Sequence, residues 1–103
     1  MNFVNAGVTR SHVVTICGSM KHLDLMHEVA TSETANGHIV LMPFVTTVGH
    51  DVEQKKMLDE LHLEKINMAD EVIVVAHDGY VGESVRAEIS HAASMNRPIR
   101  WVV

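Results

Sequence analysis

The sequence predicts a three-layer α/β fold, flavodoxin-like (Rossmann-like), with a four-stranded parallel sheet of order 2-1-3-4 between its helices. Three observations carry that expectation. Four short apolar segments alternate with three stretches of helical period, a βαβαβαβ tally in which no hairpin dipeptide joins consecutive strands. The segment 71–76, EVIVVA, is too uniformly apolar to have a wet face, as expected of a strand covered on both sides. Right-handed crossovers then leave few topologies. The chain of 103 residues, 47% hydrophobic, suffices for one compact domain with one core and is too short for two.

Residues 1–11 carry no period and are expected to form a flexible N-terminal arm, leaving 12–103 as a single α/β domain. The first strand, 12–17 (HVVTIC), is β-branched and apolar, and Gly18-Ser19 lets the backbone turn tightly into a helix over 20–36. Leu23, Met26, Val29 and Ala30 are spaced to face the sheet, with Lys21, Asp24, Glu28 and Glu33 in water. Asn36-Gly37 ends this helix. The second strand, 38–42, leads through Pro43 into a loop holding Thr46, Thr47 and His50, after which Asp51 caps a helix over 52–68. Its inner face is read as Met57, Leu58, Leu61 and Met68, with Lys55, Lys56, Asp59 and Glu60 outside. Lys65 falls within the apolar face and is expected to run its stem along the core. After the third strand, a glycine-punctuated loop over 77–82 enters a helix at Glu83 and Ser84. Val85, Ile89 and Ala92 form its inward stripe, and Ser84, Glu88 and His91 share the adjoining flank. Pro98 blocks continuation before the last strand, 99–103.

Composition narrows the function classes. The formal charge is −5 with no cluster of Lys or Arg, so a nucleic-acid polymer finds no basic stripe. One cysteine, Cys17, excludes an internal disulfide, and the first ten residues hold no long apolar stretch, so no membrane partner and a reducing, cytoplasmic location are expected. Eight histidines are scattered without HExxH or CxxC spacing, so no metal site is assigned and no cofactor is expected. Seven methionines at mostly apolar positions read as core filler.

In a 2-1-3-4 sheet the crevice opens between the carboxyl ends of strands one and three, which joins Gly18-Ser19 to the loop 77–84. Gly18, Ser19 and Met20 at a helix entrance can present amides and a hydroxyl to an anion, although Ser19 could simply cap the helix. Gly79 and Gly82 let the chain pass close to a ligand, and Ser84 can cap the third helix or bind a hydroxyl. Glu88 could be a solvated helix residue. Held beside an apolar wall in a crevice, it could instead act as a nucleophile at a sugar carbon. Glu83 lies five residues from Glu88, off its helix face, and reads as a favourable charge at the helix start.

The order of CGS (17–19), GHIVLMP (37–43), ADEVIVV (69–75) and a Gly-rich loop leading to ExxxA (88–92) resembles the nucleoside 2-deoxyribosyltransferase-like superfamily, which includes 2-deoxynucleoside 5-phosphate N-hydrolases. The resemblance covers nearly the whole chain after residue 11. It implies that Glu88 attacks the anomeric carbon, that Gly18 and Ser19 contact sugar or base, and that Gly82 and Ser84 receive the sugar or its 5-phosphate. It also implies a homodimer or higher homo-oligomer acting on a small nucleoside or nucleotide. Two departures stand out. Gly82 occupies the place, six residues before the glutamate, where the family commonly has serine or aspartate. Where the family tends to put a supporting carboxylate on the preceding helix, the register offers His62, with Asp59 a turn earlier. The expected activity is that of an N-glycosidase or deoxyribosyltransferase; a non-catalytic nucleotide-binding module is the alternative.

Overall fold

The computed structural model describes residues 10–45 and 51–103. Residues 1–9 of the expected arm, and Thr46, Thr47 and His50 of the loop, lie outside the described residues. The strands are β1 (Val13–Gly18), β2 (Ile39–Leu41), β3 (Glu71–Val75) and β4 (Ile99–Val102), and the helices are α1 (Leu23–Ala35), α2 (Val52–Met68) and α3 (Glu83–Ser94). They build one sheet of order β2-β1-β3-β4 in which every pair is parallel, the topology the sequence predicts.

The pleat distributes the core to both faces of this sheet. Val14 and Ile16 of β1, with Ile73 and Val75 of β3, pack on Met26 and its neighbours in α1. The alternate residues Cys17, Val72 and Val74 pack on Ile66 of α2 and on Val85 and Ala92 of α3. Two apolar clusters separated by a central pair of strands, buried apart from Glu71 at the start of β3, are what a parallel sheet covered on both sides requires.

Local chemistry sets the helix ends. Ser19 caps a single 3-10 turn, Met20–His22, its Oγ accepting from the Lys21 amide at 3.1 Å, so the helix expected from residue 20 begins with a tighter turn. Asp51 and Gln54 form a reciprocal capping box at the start of α2. Gly37, at φ 85, ends the turn after α1.

Two inward faces differ from the expectation. Glu33, expected in water, is buried at 5% exposure because α1's period carries it onto the sheet side after Met26. There Arg100 of β4 donates to both of its oxygens at 3.1 Å and to both Glu71 oxygens at 3.0 Å, while His38 Nδ1 lies 2.8 Å from Glu33. α2 turns His62, Ile66 and, past its end, Ala69 to the core, leaving Met57, Leu61 and Met68 exposed. Polar partners on β1 select this face: Thr15 Oγ1 donates to the Lys65 carbonyl, and Cys17 Sγ lies against His62. Lys65 runs along the edge of the core and donates to the Met42 carbonyl.

Candidate active site

At the carboxyl ends of β1 and β3 a cleft of about 430 Å³ opens, within the range of small-molecule sites. Gly18, Ser19 and Met20 form one wall. Gly82, Glu83, Ser84 and Glu88 form the facing wall, and His62 and Asp59 of α2 with Pro43 and Phe44 close the sides. The structure thus brings Glu88, His62, Gly18, Ser19, Met20, Gly82 and Ser84 to one cavity. Gly79 is not among its lining residues; it sits at φ 75 in the turn His77–Gly79. Glu83 lies on the same wall although it is five residues from Glu88, since α3 begins at the cleft and its first turn forms the rim.

Close packing sets the floor. A Cβ at Gly18 would stand 3.0 Å from Met26 Sδ and 3.2 Å from the Val75 carbonyl, so any larger residue at the end of β1 would crowd β3 and α1. Gly82 is the N-cap of α3 and makes no side-chain cap; Ser84 is the second helical residue and does not cap. The first amides of α3 therefore face the cleft with the positive end of the helix dipole behind them. The two loops clasp each other outside the cleft: Lys21 Nζ stands 4.2 Å from the Tyr80 ring centroid, and His22 meets the edges of His77 and Tyr80.

The chemistry concentrates at the bottom. Glu88 has 13% of its side chain exposed, and its Oε1 is buried without a hydrogen-bond partner among the described residues. It lies 3.6 Å from His62 Nε2, a contact longer than a hydrogen bond. Desolvation pushes the Glu88 carboxyl up to about 7, with the nearby Cys17 thiol pulling it back in part and Asp59 adding to the rise. His62 is 4% exposed, its Nδ1 is likewise unpartnered, and desolvation, with Lys65 nearby, lowers it to about 4. At neutral pH His62 is an uncharged imidazole, so this contact is not an ion pair. Cys17 Sγ completes the group at 3.4 Å from His62 Nε2; burial pushes its thiol well above the usual range.

Sequence reasoning missed Cys17. The signal that finds it is alternation within β1, which puts Cys17 on the same face as Thr15 and hence under α2 and α3.

No family model matches the chain, and no curated protein does. Among solved structures, a 2-deoxyribosyltransferase from the psychrotolerant bacterium Bacillus psychrosaccharolyticus superposes with a TM-score of 0.68 over 86% of this chain and 70% of that chain, at 14% identity. The chain shares its fold with that 2-deoxyribosyltransferase.

Proposed function

We propose that this chain, which shares the fold of a 2-deoxyribosyltransferase, cleaves the N-glycosidic bond of a (deoxy)nucleoside or its 5-monophosphate, with Glu88 as nucleophile. The observation that carries the reading is the Glu88 carboxylate oxygen Oε1, buried at the floor of the cleft with no hydrogen-bond partner among the described residues. A structural carboxylate in such a place would be paired, as Glu33 is by Arg100 at the other end of the sheet. An unpaired one is kept for a reacting atom.

In this mechanism a Glu88 oxygen attacks the anomeric carbon as the bond to the base breaks; the base leaves with the bonding pair and takes a proton from solvent water. Water or a second base then releases the sugar from the glycosyl-enzyme. The α3 amides and Ser84 receive the sugar end or its 5-phosphate, and Gly18, Ser19 and Met20 meet the rest of the substrate. Neutral His62 packs beside the carboxylate at 3.6 Å, too far to hydrogen-bond it, and is not the proton source. No cofactor is invoked. Hydrolysis is slightly favoured over transfer, because the cleft of a single subunit is open to water, and a wall supplied by a partner would narrow that preference.

The active form is a homodimer. Phe44 and Leu58 line both the cleft and the exposed apolar groove that includes Met57, Leu61 and Met68, so a partner seated on that groove would also wall the cleft. A reduced, unpaired cysteine suits the cytoplasm; no helix among the described residues is long and apolar enough to cross a membrane.

The test is incubation with a panel of nucleosides and their monophosphates, following free base by chromatography, for the wild type and Glu88→Gln. Base release by the wild type alone is expected. Tight binding with no release from any substrate would assign the non-catalytic module instead.

A further inference from the structure

We infer that Cys17, His62 and Glu88 form a binding site for a borderline-soft divalent cation of the zinc class, and that its occupation withdraws Glu88 from catalysis. The inhibitory half rests on the proposed role of Glu88; the site itself does not.

One donor comes from each of three elements, Sγ from β1, Nε2 from α2 and a carboxylate oxygen from α3, and all lie within 4.8 Å of one another. Sulfur to nitrogen is 3.4 Å and nitrogen to oxygen 3.6 Å. Tetrahedral zinc, with bonds of roughly 2.3 Å to sulfur and 2.0–2.2 Å to nitrogen and oxygen, holds its ligand atoms about 3.3–3.6 Å apart. These two pairs already stand at nearly that spacing.

A further observation points to a cation. Glu88 Oε1 is buried without a hydrogen-bond partner among the described residues, beside His62, which is 4% exposed. The Cys17 thiol bears on the Glu88 carboxyl, yet Oε1 has no partner at hydrogen-bond distance among the described residues, and a cation between the three groups would take it. A thiolate and a carboxylate together also offset two positive charges, so the loaded site is neutral where burial would penalise net charge. The S, N, O donor set selects zinc or cobalt(II) over magnesium or calcium, which prefer oxygen alone. Three protein ligands leave a fourth position toward the cleft that Glu88 lines. On binding, the Cys17 thiol loses its proton to solvent.

HExxH-type motifs are silent here because the donors stand 45 and 26 residues apart along the chain, brought together only by the sheet.

Cobalt(II) is the probe, added to the full chain after chelator treatment. Cys17 is the sole cysteine, so a thiolate-to-cobalt charge-transfer band reports this site and no other. The expected result is one equivalent bound with that band and tetrahedral ligand-field bands, displaced by zinc. In Cys17→Ser the band should vanish and affinity fall about a hundredfold, since even outer-shell partners are worth ten- to a hundredfold. Zinc should suppress base release, and EDTA should restore it. An octahedral cobalt spectrum without charge transfer in the wild type would overturn the site, with no variant needed. Zinc that leaves base release unchanged or speeds it would overturn the inhibition. If the band forms but no substrate releases base, the catalytic reading fails and the site stands; Glu88-dependent release without the band is the reverse.

Discussion

Glu88 is held against its own ionisation, and that tension gives the clearest expectation at the scale of single residues. Its carboxyl is raised from an ordinary 4.5 to about 7, so between those values the folded chain holds a proton that the unfolded chain has lost. Stability therefore falls as pH rises through that window and stays lower above it. Glu88→Gln removes the buried charge. We expect it to abolish base release and to stabilise the fold by on the order of 1–3 kcal/mol at pH 8, with little gain at pH 4.5, read from urea midpoints at the two pH values. Ser84 is a gentler case. It is exposed on the rim and caps nothing, so Ser84→Ala should leave the urea midpoint unchanged. Turnover should drop about tenfold to a hundredfold, the loss of one hydrogen bond to a charged group in the bound state. An equal drop in midpoint and activity would instead make Ser84 a structural residue.

Among the elements, β1 is the most constrained, because its last residue is pressed between Met26 and the Val75 carbonyl. Gly18→Ala forces those neighbours apart; the expected loss is about 1–3 kcal/mol of stability together with reduced base release, measured by denaturation and the same chromatographic assay. Strand-level features of this kind are legible in the sequence: β-branched runs, Gly18-Ser19 at a strand end and an alternating tally fix which loops meet, and hence which of Ser19, Gly82 and Ser84 share a cleft. Other features are not local. α2 carries two apolar stripes, one through Met57, Leu61 and Met68 and one through Ile66, and its periodicity does not choose between them; Thr15 and Cys17, on another element, do. Glu33 reads as a wet residue until Arg100, 67 positions away, is laid beside it. The grouping of Cys17 with His62 is of the same kind, spanning 45 positions.

For the whole molecule, two consequences follow. The apolar groove on α2 predicts association: sedimentation should give twice the chain mass for the wild type and a monomer for Leu61→Glu, with folding intact because Leu61 is 45% exposed. A wild type that stays monomeric at all concentrations would remove the dimer. The second consequence concerns pH, since the sheet has paired carboxylates at one end and an unpaired one at the other. Glu33 and Glu71, lowered by Arg100, lend stability that is present above the ordinary carboxylate value and lost as pH falls through their folded values. His62, lowered from 6.5 to about 4, adds stability that is complete above 6.5 and lost on the way down to about 4. Glu88 runs the other way over nearly the same range, so the two buried neighbours should cancel between about pH 4.5 and 6.5. The expected profile is a plateau there, a steep fall in acid and a shallow fall toward 7, followed by urea midpoints across that range. Base release needs ionised Glu88 and should climb through about 7, past the plateau. Anyone improving this protein by melting temperature alone, in a neutral or alkaline buffer, would be rewarded for silencing it: the hardiest variants in such a screen should include those that have lost the Glu88 carboxylate, and a useful selection has to score turnover and heat resistance on the same clone.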